Sequence, residues 1–512
     1  MLAAIHSAAV LGVDAYAVTV EVDCAQGLPQ WSVVGLAAGA VKESRERVSA
    51  ALLNSGFTVP PRRITINLAP ADIRKDGSGF DLPIALGVLV ATGQLDSSAV
   101  TDLLLAGELG LDGSVRRVRG ALPIARLASA LGAHWLVVPP ADAAEALLVG
   151  GVRVTAPSSL RELVDAVRAG MLRPATPGAV SDSLEPELDF ADVVGQASAR
   201  RAMEVAAAGS HGVLLSGPPG AGKTMLARRL PGILPPLSDA EALDVIAVHS
   251  VAGTLAGSAL AAVRRPFRAP HHTVSGAGLV GGGSTPRPGE VSLAHNGVLF
   301  LDELLEFPRH VLDLLRQPME DGRVVIARAA LSVAFPARFA LVAATNPCPC
   351  GRIGDPGGAC TCTTADVLRY RSRLSGPLAD RIDMHVGVGA VPIDALATGL
   401  MAESSLSVRG RVSAARDRQR LRYVGMRGIG CNAHVPGRWL DACSPVAADA
   451  RALLRSAAER LGLTARGYYR VLKISRTIAD LDESPGIGLP HVAEALRYRP
   501  APPVVDRRSP EP

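Results

Sequence analysis

The sequence predicts an α/β protein of several domains. Its 512 residues correspond to about two to four domains of ordinary size. Short β-like runs alternate with helical stretches over residues 1–170, and apolar runs of the buried-strand type precede helices over 189–388. Residues 391–500 are rich in Ala and Arg at helical spacing. We therefore expect two α/β units followed by a small helical domain.

Local composition sets the expected boundaries. In the first unit, the strands are expected at 16–23, 62–69 and 134–140 and the helices at 42–54 and 120–132. A stretch rich in Pro, Ser and acidic residues has no periodicity and is typical of a linker. The predicted organisation is a first domain at 1–171, a linker at 172–188, a second domain at 189–390, a helical domain at 391–500 and a disordered tail at 501–512.

Composition excludes several classes of protein. With 48% hydrophobic and 20% charged residues, the chain is not typical of a disordered protein. The N-terminal apolar stretch lacks Lys and Arg and contains Asp14, and the longest apolar run, 82–93, is shorter than the ~20 residues of a membrane span. We expect a cytoplasmic protein without a membrane partner. A net charge of +5 is compatible with a polyanionic partner.

The most specific motif is GPPGAGKT, between the apolar run GVLLS and the helical run KTMLARRL. Its glycines let backbone N–H groups turn toward phosphates, and the N-terminus of the following helix favours an anion. Lys223 is placed to reach the β- and γ-phosphates, and the Thr224 hydroxyl to bind Mg²⁺. The predicted nucleotide-binding residues are Gly217, Pro218, Pro219, Gly220, Ala221, Gly222, Lys223, Thr224 and Met225.

Polar residues end the next two apolar runs. Asp302 and Glu303 follow GVLFL, and Asn346 follows RFALVAAT. Asp302 would hold Mg²⁺ together with Thr224, and Glu303 would polarise the attacking water as general base. Asn346 would orient the same water. An acidic pair at a strand end is most often only solvated, but its position after a phosphate-binding loop favours a catalytic role.

Four of the seven cysteines lie within fifteen positions, which favours reduced thiols or a metal site over disulfides. They form a CxC–x9–CxC pattern around a Gly- and Pro-rich loop, and four thiolates are able to bind Zn²⁺ tetrahedrally. CxC is tighter than the usual CxxC spacing, and four reduced thiols in a tight loop is the alternative. We favour structural Zn²⁺ bound by Cys348, Cys350, Cys360 and Cys362.

Two further features concern charge. Residues 409–427 carry seven arginines against Asp417, a basic helical surface suited to phosphates or simply a solvated face. The candidate DNA contacts on it are Arg418, Arg420 and Arg422. His271 and His272 lie in a Gly-rich insert without an obvious acidic partner, so we predict no metal site there.

The motifs together resemble those of AAA+ ATPases. Gly217–Thr224 is similar to Walker A, Asp302–Glu303 to Walker B and Asn346 to sensor 1. The resemblance implies ATP and Mg²⁺ as cofactors. It also places Arg381 at the arginine-finger position, reaching the nucleotide of an adjacent subunit in a ring that is most often a hexamer. Arg466 is at the sensor 2 position, with Arg470 as a competitor, and would serve the same subunit as Lys223.

Longer stretches are similar to the magnesium-chelatase branch of AAA+ proteins, and within it to the bacterial ComM/YifB group. They are residues 264–304, NPCPCG at 346–351 and YRSRLSGPLADRID at 370–383. Leu305 and Gly276 depart from the group's usual residues but touch no nucleotide group. In this clade a hairpin before sensor 1 points into the ring pore. We therefore expect two short strands around Ala329 and Ala330, with Arg323 and Arg328 as DNA contacts.

The first domain resembles the Lon-protease fold, which ribosomal protein S5-like modules share. The resemblance puts Gly79 and Pro123 where an active enzyme has its Ser and Lys, and Ser78 is one residue early. We expect a scaffold, or a platform for DNA or a partner, without proteolysis.

Taken as a whole, the resemblance implies an ATP-driven ring motor on forked, junction or single-stranded DNA, a branch-migration helicase that works with recombination proteins. The alternatives are a magnesium-chelatase-type motor remodelling a protein partner, an ATP-dependent protease and a nucleotide-gated scaffold.

Overall fold

The computed structural model describes residues 2–36, 39–73, 75, 77–176, 188–255, 264–283, 285–328, 331–353, 359–390, 402–426 and 428–499. Within these residues it confirms the mixed α/β fold class. Several predicted features lie outside them: most of the linker, the hairpin tip at Ala329 and Ala330, Arg427, the start of the helical domain and the tail.

The N-terminal domain is a mixed sheet covered by helices. Its strands are β1 Leu2–Leu11, β2 Asp14–Ala25, β3 Gln30–Val34, β4 Arg63–Ala69, β5 Leu103–Leu105, β6 Glu108–Leu109, β7 Val115–Arg116, β8 Trp135–Val137 and β9 Arg153–Thr155. Its helices are α1 Gly39–Lys42, α2 Ser44–Asn54, α3 Asp81–Ala91, α4 Ala121–Ala130, α5 Pro140–Ala146 and α6 Leu160–Arg168. The seven-stranded sheet has the order β3-β4-β2-β1-β5-β8-β9. The antiparallel β1–β2 hairpin forms its centre.

The longest apolar run of the sequence forms α3. Every residue of α3 is buried, because one side packs on β1 and β2 and other elements cover the rest. A helix buried on all sides needs no polar face, which explains its continuous hydrophobicity. Among the described residues, no helix has both the length and the hydrophobicity needed to cross a membrane.

The central domain is a parallel sheet flanked by helices. Its strands are β10 Val213–Ser216, β11 Phe267–Arg268, β12 Gly281–Gly282, β13 Arg287–Pro288, β14 Val298–Leu301, β15 Arg323–Arg328, β16 Leu331–Pro336, β17 Ala340–Thr345 and β18 Met384–Gly387. Its helices are α7 Ala197–Gly209, α8 Lys223–Ile233, α9 Asp239–Ala252, α10 Gly276–Val280, α11 Glu290–Leu293, α12 Arg309–Asp313, α13 Arg316–Asp321, α14 Thr364–Arg371 and α15 Gly376–Ala379.

The strand order of this sheet, β11-β14-β17-β10-β18, determines which loops meet. All its neighbouring pairs are parallel, so the carboxyl ends of β10, β14 and β17 lie at one edge. The pairs β12–β13 and β15–β16 form separate antiparallel ribbons.

The C-terminal domain is helical, as predicted. Its helices are α16 Ser405–Arg422, α17 Gly437–Cys443, α18 Ala448–Leu461, α19 Ala465–Leu481 and α20 Leu489–Arg497. A buried ionic network joins α16 and α19 around Asp480, which is 0% exposed. Its carboxylate accepts hydrogen bonds from Arg476 (2.9 Å), Arg422 (2.9 Å) and Asn432 (2.9 Å).

We expect Asp480→Ala to destabilise this domain by about 3–5 kcal/mol, because it leaves two largely buried guanidinium groups without a counter-charge. Urea unfolding followed by circular dichroism measures the loss. Asp417→Ala is the matched control, since Asp417 makes only an exposed pair with Arg420 and is expected to change stability by less than about 1 kcal/mol. Equal effects of the two changes would contradict the assignment.

The N-terminal domain contacts the central domain at two places. Leu11 and Val13, on either side of the β1–β2 turn, pack into the apolar cluster that contains Val333 of β16. Elsewhere, the buried Glu145 of α5 accepts a hydrogen bond from Ser250 of α9. The β15–β16 hairpin is therefore supported from the N-terminal side as well as by its own domain.

Candidate active site

The predicted phosphate-binding loop connects β10 to α8 at the carboxyl edge of the sheet. A Cβ on Gly217 would lie 2.0 Å from the carbonyl oxygen of Val388, so only glycine fits there. Gly220 and Gly222 have φ values of 77° and 90°, in the left-handed region that glycine adopts without strain. The loop thereby brings its backbone around the N-terminus of α8, where Lys223 is the first residue.

Lys223 is held inside this loop. Its Nζ donates hydrogen bonds to Gly217 O (2.5 Å), Pro218 O (3.0 Å) and Asn346 Oδ1 (3.0 Å). Burial lowers the pKa of the Lys223 ammonium. All three acceptors are neutral, so a buried cation at this position favours an anionic ligand.

Thr224 and Asp302 supply oxygen ligands beside the lysine. Thr224 Oγ1 donates a hydrogen bond to Asp302 Oδ2 (2.8 Å), and Asp302 Oδ1 accepts one from the Glu303 backbone N–H (3.0 Å). Hydroxyl and carboxylate oxygens are the hard ligands that Mg²⁺ prefers. This donor set fits a magnesium ion next to the phosphate-binding loop.

Glu303 has an unusual backbone conformation and an unexpected neighbour. Its φ is +49°, a region that non-glycine residues seldom adopt outside constrained functional sites. Its half-exposed carboxylate lies 3.7 Å from His272 Nδ1. The expectation that the histidine pair has no acidic partner is therefore wrong. The two residues are distant in sequence, but β11, which precedes His272, pairs with β14, which precedes Glu303.

The predicted arginine finger lies at the opposite edge of the sheet. Asp383, two residues after Arg381, accepts a hydrogen bond from the backbone N–H of Gly212 (3.3 Å), just before the amino end of β10. This contact places Arg381 near the amino edge of the sheet. Asp383 also pairs with Arg470 (3.3 Å), and Arg381 pairs with Glu320. One buried nitrogen of Arg381 and one of Arg470 have no hydrogen-bond partner among the described residues, while the other Arg381 nitrogens donate to Pro377 O and Glu320. Arg381 and Arg470 thus lie near the amino edge of the sheet, whereas the phosphate-binding loop lies at the carboxyl edge.

Arg466 belongs to this group of arginines. It is exposed on the first turn of α19. Burial lowers the pKa of Arg470, and the nearby charges of Arg466 and Arg381 lower it further. Arg466 lies one helical turn before Arg470 on α19. The role of Arg466 at its own subunit's nucleotide site stays a prediction.

The four clustered cysteines lie directly beside the nucleotide loop. The distances from Cys348 Sγ to Cys350 Sγ and Cys360 Sγ are 3.4 and 3.7 Å, and Cys350 and Cys360 are 3.5 Å apart. All four sulfurs, including that of Cys362, lie within 4.8 Å of one another. Four thiolates at a Zn–S distance of about 2.3 Å would be about 3.8 Å apart. The donor set fits a tetrahedral metal.

Backbone hydrogen bonds favour a thiolate at Cys350, whereas burial and hydrogen bonds with the neighbouring thiols raise the pKa of Cys360 and Cys362. Hydrogen bonds from the backbone N–H groups of Arg352 and Thr361 lower the pKa of the Cys350 thiol to about 6. The intervening Gly351 contacts the phosphate-binding loop closely, since a Cβ there would lie 2.7 Å from Pro219 Cδ. The cysteine loop and the nucleotide loop are thus in direct contact.

The candidate DNA contacts divide into two groups. Arg323 and Arg328 are exposed on β15. The α16 arginines are mostly engaged within the protein: Arg422 with Asp480, and Arg418 with Glu483 and the Asp480 carbonyl. Arg420 is more exposed but pairs with Asp417. Arg422 and Arg418 are therefore helix-packing arginines rather than part of a free basic surface, because their partners lie on α19 and just after it. Arg420 stays an exposed candidate.

The N-terminal domain does not assemble a serine–lysine pair from its described residues. Ser78 donates its hydroxyl hydrogen to the Glu108 carboxylate. Lys75 is fully buried, and its Nζ has no hydrogen-bond partner. Pro123 lies in the first turn of α4 and Gly79 has no side chain. This arrangement lacks the activated nucleophile that proteolysis needs.

Three family models match successive parts of the chain. Residues 20–142 match "Subunit ChlI of Mg-chelatase", residues 189–396 match "Magnesium chelatase, subunit ChlI", and residues 402–499 match "Magnesium chelatase, subunit ChlI C-terminal". The competence protein ComM of Haemophilus influenzae is 43% identical over 504 residues, which are 97% of each chain.

The chain belongs to the ComM/YifB family of magnesium-chelatase-like proteins. The uncharacterized protein YifB of Escherichia coli is also 43% identical, again over 97% of each chain. The magnesium-chelatase 38 kDa subunit of Cereibacter sphaeroides is 31% identical over only 31% of this chain and 52% of its own. Membership in this ComM/YifB family, together with the Walker-type site, supports an AAA+ ATPase that uses ATP and Mg²⁺.

Proposed function

We propose that the protein is an ATP-hydrolysing AAA+ ring motor that acts on DNA as a branch-migration helicase in homologous recombination or natural transformation. The ATPase part rests on the hydrogen-bonded constellation of Lys223, Thr224, Asp302 and Asn346. The DNA part rests on the exposed arginines of the β15–β16 hairpin and on similarity to a competence protein.

Five side chains of this chain would have separate roles in ATP hydrolysis. Lys223 and the backbone N–H groups of the loop bind the β- and γ-phosphates. Thr224 and Asp302 would hold Mg²⁺, which neutralises phosphate charge when bound. Glu303 takes a proton from the attacking water as general base. Asn346, already 3.0 Å from Lys223 Nζ, is placed to orient that water.

We propose a ring, because Arg381 lies at the amino edge of the sheet, away from the phosphate-binding loop of its own chain. At that edge Arg381 would reach a phosphate on an adjacent subunit. Contact of one subunit's carboxyl edge with the next subunit's amino edge is a heterologous interface, which forms a ring when the rotation between subunits closes. We propose a homo-hexamer with Arg381 as its arginine finger.

The β15–β16 hairpin is the proposed DNA element. Val324 and Ile326 of β15 are buried, whereas Arg323 and Arg328 are exposed. Among the described residues neither arginine lies within salt-bridge distance of a carboxylate, so both are able to contact phosphates. Forked, junction and single-stranded DNA are the expected substrates, with recombination proteins as partners.

The deciding experiment measures steady-state ATP hydrolysis with and without forked or four-way-junction DNA, together with dissociation of the junction. Lys223→Ala is the negative control, because it removes the phosphate-binding ammonium. ATP hydrolysis that DNA stimulates, together with strand displacement, supports the proposal if both are lost in this variant. ATP hydrolysis that DNA does not stimulate, without strand displacement, refutes the helicase part.

The second candidate is a chelatase-type motor that remodels a protein partner. The similarity to the magnesium-chelatase 38 kDa subunit favours it, although that similarity covers less than a third of the chain. Stimulation of the ATPase by a protein instead of DNA would support this candidate. A nucleotide-gated scaffold would bind ATP with little turnover in either condition.

We also propose that the four cysteines bind structural Zn²⁺. The sulfur separations of 3.4–3.7 Å match a tetrahedral thiolate site. Purified protein is expected to contain about one zinc per chain by elemental analysis. Cys350→Ser with Cys362→Ser should lose the metal, whereas the control Cys443→Ser, whose thiol is outside the cluster, should keep it.

Because the metal loop contacts Pro219, a zinc-selective chelator in excess Mg²⁺ is expected to weaken ATP binding and lower the melting temperature. Protein that is fully active and free of zinc would contradict the metal assignment.

A further inference from the structure

A cavity of about 150 Å³ lies between the central domain and the C-terminal domain, at the amino edge of the sheet. On the central side it is bounded by Asn296, which precedes β14, and by Ala340, the first residue of β17. On the other side it is bounded by residues of α16 and of the segment 430–434. The phosphate-binding loop and the four-cysteine cluster take no part in its walls.

The walls of this cavity carry an excess of positive charge. Two arginines come from the central domain and two from α16: Arg265, Arg338, Arg416 and Arg420. Glu241 of α9, which pairs with Arg265 at 3.3 Å, is the one carboxylate among the described residues of the wall. Cys431 and His434 also line the cavity, with Sγ and Nδ1 3.1 Å apart, and as a thiolate–imidazolium pair they add no net charge.

The other three guanidinium groups have no carboxylate partner inside the cavity. Arg416 donates hydrogen bonds to the carbonyl oxygen of Ala207, at 3.2 and 2.9 Å. Arg420 pairs with Asp417, whose exposed carboxylate is not part of the wall. The guanidinium of Arg338 forms no hydrogen bond or ion pair with another described residue. Because clustered cations in a partly enclosed space need a counter-charge, the cavity favours an anion.

Two titratable groups beside the cavity respond to this charge. Burial and the nearby charge of Arg338 lower the pKa of His295, in the turn before β14, to about 4. Burial raises the pKa of Cys431, but the charges of His434 and Arg416 outweigh burial and lower that pKa to about 5. A positive potential disfavours an imidazolium and favours a thiolate, so both shifts have the sign that the arginines predict.

We propose that this cavity binds a small tetrahedral oxyanion of the phosphate class, held by arginines of both domains. The planar guanidinium group matches the spacing of phosphate oxygens and binds them in pairs. A free phosphate ion and the phosphate of a longer chain share this chemistry, and the small volume favours the free ion. The bound ion would attract α16 to the central domain where the arginines now repel each other. The inference depends on neither ATP hydrolysis nor DNA binding.

The test measures binding of radiolabelled inorganic phosphate to the full-length chain by equilibrium dialysis, with chloride keeping the ionic strength constant. Lys223→Ala is the background, because the phosphate-binding loop is a second site for the same ion. About one saturable phosphate per chain should remain in this variant. Adding Arg338→Gln and Arg420→Gln should weaken its binding by about 10-fold or more, the effect of losing charge-assisted hydrogen bonds.

The matched control in the same background is Arg451→Gln with Arg455→Gln. It also removes two positive charges, from exposed positions of α18 that do not line the cavity. Phosphate binding should stay within about twofold. Phosphate should also raise the melting temperature of the background variant more than chloride at equal ionic strength, as a ligand of the folded state does. Circular dichroism verifies that every variant is folded.

Four outcomes overturn the inference: no saturable phosphate in Lys223→Ala, equal weakening in both double variants, a rise in melting temperature that chloride reproduces, or displacement of the bound phosphate by a single-stranded oligonucleotide. The last outcome would assign the arginines to a DNA backbone instead. Absence of ATP turnover or of strand displacement would refute the proposed function and leave this site untouched, so the two failures are distinguishable.

Discussion

Arg381→Ala is expected to lower ATP turnover by about 10³-fold or more, the usual contribution of an arginine finger. The physical reason is that Arg381 is the proposed finger, whose guanidinium would stabilise the charge that develops on the γ-phosphate. ATP binding should persist, because the phosphate-binding loop and Lys223 are at the other edge of the sheet. Steady-state turnover and binding of a fluorescent ATP analogue measure the two effects separately.

The geometry makes a sharper prediction for mixed rings. A ring assembled from equal amounts of Arg381→Ala and Glu303→Gln subunits should recover about a quarter of wild-type turnover, since random mixing pairs an intact base with an intact finger at one interface in four. Two inactive variants would then give an active mixture. A mixture as inactive as its parts would show that Arg381 does not act across the interface.

Arg369→Ala is the control for this series. Arg369 is exposed on α14, in the same basic stretch, and faces no proposed nucleotide contact. It should leave turnover within about twofold, as expected for a surface substitution. Gel filtration of each variant checks that ring assembly is retained.

Glu303→Gln is expected to separate ATP binding from hydrolysis. The amide has the shape of the carboxylate but does not accept a proton, so kcat should fall by about 10²- to 10⁴-fold. The affinity for ATP should change little, because Glu303 contacts neither Lys223 nor Thr224. Rapid-quench measurement of a single turnover locates the loss at the chemical step.

The matched control is Glu306→Gln, three residues later on the same 3-10 turn. Glu306 forms an exposed pair with Arg373 and is expected to tolerate the change. A similar loss of turnover in both variants would show that the turn, rather than the Glu303 carboxylate, is sensitive. Tight ATP binding by a Glu303→Gln ring also provides a trapped state in which DNA binding is measurable.

The order of elements and the nucleotide site were predictable because their determinants are local. A glycine-rich loop between an apolar strand and a helix fixes its own backbone, and Lys223 and Thr224 necessarily begin that helix. Asp302 and Asn346 follow buried strands, and parallel strands share a carboxyl edge. The strand β1 was not predicted, because its run of alanines between polar residues has a weak alternating pattern.

Two assignments failed because they depend on partners distant in sequence. The α16 arginines form a basic run when counted along the chain, yet Arg422 faces the buried Asp480, 58 positions away. Likewise, His272 had no visible partner until the pairing of β11 with β14 placed it beside Glu303. Neither contact leaves a periodic signal in a single sequence.

By itself, the sequence determined the α/β class, the helical C-terminal domain, the phosphate-binding loop and the cysteine spacing, since each depends on residues that are close together in the sequence. Only the tertiary structure decided which edge of the sheet each charged residue occupies. It placed Arg381 and Arg470 at the amino edge of the sheet, away from Lys223. The physical reason is that strand order and helix packing bring together residues that are distant in the chain, and they determine which carboxylate each cation meets.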